Sequence, residues 1–97
     1  ALQTLAVLAD SENVEYQALL ANTAQQQGQF LTAISAYQSL VSLQVNKGRW
    51  WLGLAIAFDS HGQFLKADQA YKTAIAQQDL SSSSTEFARK RIIELGE

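Results

Sequence analysis

The sequence predicts an all-α fold in which antiparallel helical hairpins stack side by side, about six helices in all. Three observations predict it. Leu20-Ala21, Gly28-Gln29-Phe30-Leu31, Ala33, Ala36 and Tyr37 return 34 residues later as Leu54-Ala55, Gly62-Gln63-Phe64-Leu65, Ala67, Ala70 and Tyr71. Small and aromatic residues recurring in a frame of that length mark a helix–turn–helix repeat. The chain has no proline, so no interior helix break is forced. Apolar positions recur at three- and four-residue steps, and period-two alternation is rare.

Each element follows from local chemistry. The first helix covers about Leu2 to Ala9, with Leu2, Leu5 and Leu8 or Ala9 on one side. Asp10-Ser11-Glu12-Asn13 breaks it and caps the next helix. Helix two runs from about Val14 to Gln27 and stops at Gly28, where a side chain would clash in a positive-φ turn. Helix three spans about Phe30 or Leu31 to Leu43, and Asn46-Lys47-Gly48 turns the chain. Helix four spans about Arg49 to Ser60 and ends at His61-Gly62 by the same glycine logic. Helix five spans about Phe64 or Leu65 to Gln77, and Phe30 and Phe64 are expected to plug the base of each hairpin. Leu80 and the serine run lead to helix six, about Ser84 to Leu95. Ser83 and Glu86 match a capping box, each satisfying an orphan backbone N–H.

The totals narrow the function. A chain of 97 residues makes one domain with a modest core, and 47% hydrophobic residues against 16% charged is a globular balance. The net charge is −2, and the densest basic run, Arg89-Lys90-Arg91, sits among Glu86, Glu94 and Glu97. Nucleic-acid binders carry a basic stripe, so no nucleic-acid partner is expected. The longest apolar run, Trp50 to Phe58, is far short of the roughly 20 residues that span a bilayer, so this segment is not expected to insert into a membrane. The chain begins at Ala1, so it reads as a piece of a longer protein whose targeting or membrane segment would lie upstream.

Catalysis finds no support. There is no cysteine, and His61 is the only histidine, so neither a metal cluster nor a cofactor site is expected. Asp59-Ser60-His61 contains triad ingredients, but adjacent residues on a helix point in different directions and cannot hydrogen-bond in series. The five glycines are scattered and make no phosphate loop. Glu12 and Glu15 fall near a helix start, where carboxylates are favoured by the dipole.

The unit from Gly48 to Ser81 resembles a tetratricopeptide repeat, through Trp51, Leu54, Ala55, Phe58, Gly62, Phe64, Ala67, Tyr71 and Ala74. The unit from Val14 to Lys47 resembles it through Leu20, Ala21, Gly28, Phe30, Ala33 and Tyr37, with Gln17, Ala24 and Leu40 departing from the pattern. Val45 and Asp79 stand where the family usually has proline. The resemblance implies a short right-handed superhelix. Residues 1–13 would be the second helix of a preceding unit, 14–47 and 48–81 the two repeats, and 82–97 a capping helix. On that cap Phe87, Ala88, Ile92 and Leu95 would face inward. Trp51 should be the largest core contributor, costing roughly 3–5 kcal/mol to remove if fully buried. Trp50, in register with Tyr16, packs on the preceding helix or stands out as a binding anchor.

A narrower resemblance joins Gly48-Arg49-Trp50-Trp51-Leu52-Gly53-Leu54-Ala55 and Arg91-Ile92-Ile93-Glu94-Leu95-Gly96 to the C-terminal repeats of MshN-type proteins of type IV (MSHA) pilus biogenesis. It implies a place on the periplasmic side of the inner membrane; without it the chain would be cytoplasmic.

The family resemblance also implies function: a non-catalytic module binding a peptide or helix of a partner protein. The first helix of each unit would line a concave face, with Glu15, Ala18, Asn22, Gln25, Gln26, Arg49, Leu52, Ile56, Asp59 and Ser60 as contacts. An Asn amide donates and accepts together, which suits an extended peptide backbone. The lysine set that clamps a peptide carboxylate in some relatives is missing; only Arg49 is cationic among these positions. Two other readings stand beside this one. The chain could self-associate as a homodimer through its terminal helices, using the Leu2-Leu5-Leu8 stripe, or it could be a regulatory appendage of a larger protein.

Overall fold

Two glycines set the turns. In the computed structural model, which describes the backbone of residues 2–96 and the side chains of residues 14–96, Gly28 and Gly62 have φ of +76° and +83°. Each closes its helix with the same pair of bonds. The Gln29 N–H donates to the Ala24 carbonyl at 2.8 Å and the Gly28 N–H to that of Gln25 at 3.2 Å. The Gln63 N–H donates to the Phe58 carbonyl at 2.9 Å and the Gly62 N–H to that of Asp59 at 3.1 Å. This is the Schellman arrangement, in which a left-handed residue lets two orphan carbonyls find donors.

Five helices result: α1 Leu2–Gln26, α2 Phe30–Leu43, α3 Gly48–Ser60, α4 Phe64–Ala76 and α5 Ser82–Leu95. Each packs chiefly against the one before and the one after, as in a stack of antiparallel hairpins. The 34-residue frame runs through to α5, which begins at Ser82 as α3 begins at Gly48. No strand occurs among the described residues.

The expected break at Asp10-Ser11-Glu12-Asn13 is absent, and the first two predicted helices are one helix of 25 residues. None of those four residues is glycine or proline. Each gives up only a few tenths of a kcal/mol of helix propensity relative to alanine, too little to interrupt a helix. The Leu2-Leu5-Leu8 stripe and Ala6 lie outside the described side chains.

The core is built on alanine. Ala21, Ala33, Ala55 and Ala67 are wholly buried, which lets the helix axes approach closely. Tyr71 and Leu40 are the largest wholly buried side chains. Trp51 is not the largest core contributor, whereas Trp50 packs inward rather than standing out. Trp50 is only 9% exposed, while Trp51 is partly buried against the core edge. Both are pinned by the turn before α3: Trp50 Nε1 donates to Gln44 Oε1 at 2.7 Å, and Trp51 Nε1 to the Val45 carbonyl at 2.8 Å. Successive helical residues diverge by about 100°, so only one of the pair can face inward.

Three further expectations change. Phe64 is 52% exposed and Phe30 half-buried, so neither plugs its hairpin; alanines already fill the crossings. Helix α5 starts two residues early, because the Ser81 hydroxyl, not that of Ser83, accepts from the Ser84 N–H at 3.2 Å. Four consecutive serines offer equivalent caps, and packing selects among them. Phe87 is 45% exposed rather than inward, with its ring edge-on to Tyr71 at 6.0 Å between centroids. Ala88 takes the wholly buried place beside it.

One cap comes from far along the chain. The Asp79 carboxylate accepts the first N–H of α3, from Gly48, at 3.0 and 3.2 Å. A side chain at Gly48 would collide with that carboxylate and with the Ala74 carbonyl. A carboxylate at a helix N-terminus also opposes the positive end of the dipole.

Candidate partner-binding surface

Helices α1, α3 and α5 are joined laterally by side chains near their C-terminal halves. Gln25 Nε2 of α1 donates to Ser60 Oγ of α3 at 3.2 Å. Arg91 of α5 grips Asp59 of α3 with both ends of its fork, Nη2 to Oδ1 at 2.7 Å and Nε to Oδ2 at 2.8 Å. The C-terminal ends of α1 and α3 therefore meet on this side of the stack. Asn22 neighbours both Gln25 and Gln26 at three- and four-residue spacing, and Ile56 likewise neighbours Leu52, Asp59 and Ser60.

The predicted contact residues fall into three groups. Glu15, Asn22, Gln26, Arg49 and Ser60 are exposed. Ala18, Leu52 and Ile56 are partly buried, packed against the core while still meeting solvent. Gln25 and Asp59 are engaged within the chain. Asp59 accepts from Arg91 and also from the Tyr71 hydroxyl at 2.9 Å, and Arg91 reaches Glu94 at 3.3 Å. The Oε1 atom of Gln25 is buried with no hydrogen-bond partner. Arg49 lies over the Trp50 ring, its guanidinium carbon 4.3 Å from the centroid. That contact holds a flexible cation in one place on the rim.

The Asp59 cluster has its own electrostatics. Burial, and then the bond to Asp59, push the Tyr71 phenol well above its ordinary range. The bond to Asp59 likewise raises the Arg91 guanidinium. Tyr37, at the matching place in the first hairpin, is raised by burial alone. The members of Asp59-Ser60-His61 bond to separate partners: Asp59 to Arg91 and Tyr71, Ser60 to Gln25, and His61 to Gln63, whose Nε2 lies 2.9 Å from His61 Nδ1.

Sequence reasoning missed two residues. Arg91 sat inside a basic run that offered no reason to single it out. Asp79 had a signal, since it occupies the place where the resembling family has proline. Among the described residues no cluster of His, Cys, Asp and Glu could hold a metal ion, and no helix is long and apolar enough to cross a membrane. No protein-family model matches the chain, and no curated protein does either.

Proposed function

We propose that the chain is a protein-interaction module of the tetratricopeptide-repeat type, taking a peptide or helix of a partner on the face shared by α1 and α3. The observation that carries this is the Gln25–Ser60 link, which ties the C-terminal ends of α1 and α3 where Asn22 and Gln26 are exposed and Ile56 partly so, with Leu52 one turn back along α3. Amides that donate and accept suit a peptide backbone, and the apolar pair suits an alternate side chain. Arg49, held on Trp50, would favour an acidic residue at one end. Asp59 supports this face from beneath through Arg91 and Tyr71. The finer reading, a part in type IV (MSHA) pilus assembly, rests on the short stretches around Trp50-Trp51 and Arg91–Gly96.

The test uses a partner recovered from the native host by affinity capture and then purified. Replacing Asn22, Gln26 and Arg49 together with alanine should weaken binding about tenfold or more, with the thermal midpoint nearly unchanged. Unaltered affinity in a calorimetric titration would remove this face from consideration.

A second reading has one observation in its favour. Helix α1 has 25 residues and α3 has 13, so α1 runs 12 residues ahead of the repeat frame. At 1.5 Å per residue that is about 18 Å of helix beyond the hairpin. Self-association through this extension would appear as a concentration-dependent mass in sedimentation equilibrium. A monomer across the range would end it.

A further inference from the structure

A cleft of about 480 Å³ opens between α2 and α4, floored by α3. It lies on a different side of α3 from the surface just described. Trp51, Leu54 and Phe58 form its floor, and they sit roughly 100° or more around the helix from Leu52 and Ile56. We propose that this cleft is a second docking site, for an acidic segment of a partner protein that inserts one bulky apolar side chain next to an Asp or Glu.

The floor selects an apolar group. Leu54 and Phe58 show only their edges to solvent, and Val41 of α2 closes one wall. Two polar groups of the lining are already committed. Trp51 Nε1 is bonded to the Val45 carbonyl, and the Thr73 hydroxyl to that of Gln69 at 2.8 Å. What Trp51 offers is its half-buried ring. Rigid aromatic faces at the base of a pocket are typical anchors for a partner's side chain.

The rim selects charge. Lys66 lines the cleft, and its ammonium stands 5.8 Å from the Phe58 ring centroid. Among the described residues Lys66 makes no ion pair, whereas Lys72, on the same helix, is bound to Asp68 at 3.0 Å. No carboxylate lines the cleft. In a chain of net charge −2, this is an acid-free hollow with an apolar floor, neutral polar walls at Gln38, Ser42 and Gln69, and one unneutralised cation at its edge. A carboxylate adjacent to the inserted side chain would meet Lys66. The volume suits one bulky side chain and its neighbour, not the body of a helix.

The experiment pans a random peptide library displayed on phage against the whole chain. The enriched peptide is then synthesised with blocked ends. Enriched sequences should pair a bulky apolar residue with Asp or Glu one or two positions away. The peptide should shift the Trp51 indole N–H resonance and leave the side-chain amides of Asn22 and Gln26 in place. Its Kd should rise about tenfold with Lys66→Glu and change little with Lys66→Arg. Because Lys66 is exposed, these variants should keep the fold, as their thermal midpoints will report. The proposal is overturned if no peptide is enriched. It is equally overturned if the bound peptide ignores Lys66→Glu, or if it shifts Asn22 and Gln26 while leaving Trp51 unmoved.

Discussion

The two hairpins share a backbone and differ in what bonds each to the helix that follows. Tyr37 and Tyr71 occupy the same place in the 34-residue frame, as do Gln25 and Asp59, and Gly53 and Phe87. After the first hairpin, the Tyr37 ring occupies the space left by Gly53, and a neutral amide, Gln25, meets Ser60. After the second, Tyr71 meets the Phe87 ring edge-on and donates to Asp59, which also holds Arg91. One junction is held by shape and the other by a charged hydrogen-bond cluster. The frame dictates where backbones cross; it leaves open the chemistry that locks them.

The comparison breaks most visibly at the tyrosines. Tyr71 is wholly buried and Tyr37 only partly so. Tyr71→Ala should cost about 3–5 kcal/mol, enough to threaten folding of a domain this small. Tyr37→Ala should cost about half of that, in proportion to the area it hides. Chemical denaturation of the two variants decides the ranking, and equal losses would mean the junctions are equivalent after all.

The position shared by Gly53 and Phe87 should respond in opposite senses to size. Gly53→Ala places a methyl group into the Tyr37 ring, and overpacking of this kind costs about 1–3 kcal/mol. Phe87→Ala removes a half-exposed ring and its edge contact, for about 1 kcal/mol. Thermal unfolding of each variant separates them. Restoration of Gly53→Ala by Tyr37→Leu would identify the ring as the cause.

Alkaline pH sharpens the contrast further. Tyr71 is held protonated in the fold above its ordinary value of 10.0, by burial and by Asp59, and Tyr37 by burial alone. Above about pH 10 the unfolded chain loses these protons while the folded chain keeps them. The folded state then binds more protons, so stability falls as pH rises through this window. Tyr71→Phe should flatten that fall more than Tyr37→Phe, as denaturation curves between pH 8 and about pH 11 would report.

What was legible before the structure divides along the same line. The glycine turns, the buried alanines and the span of α2 could be read from spacing, because backbone conformation and helix crossing leave a periodic mark. The partners of residues that act at a distance left none. Asp79 reaches Gly48 and Arg91 reaches Asp59 across 31 and 32 residues, and such pairings depend on rotamers and on the phase of one helix against another. The adjacent tryptophans show the limit within one helix, since a rotation of about 100° decides which is more deeply buried, and the pattern ranked Trp51 first although Trp50 is the core member. On the candidate surface, the spacing named the stripe but not that Asp59 is tied to Arg91 and Tyr71.

The smallest expected effect is the most diagnostic. Gln25 and Asp59 are frame equivalents, and each side chain bonds to the helix after next. Gln25 Oε1 is buried without a partner, a standing cost that offsets the bond from its nitrogen to Ser60. Gln25→Leu removes both at once, so stability should change by less than about 0.5 kcal/mol in either direction. Asp59→Leu leaves the Tyr71 hydroxyl and Arg91 without their shared acceptor, so it should lower the thermal midpoint clearly. If Gln25→Leu proved as damaging as Asp59→Leu, the amide would be as firmly locked as the carboxylate, and the two junctions would be variants of one polar clasp.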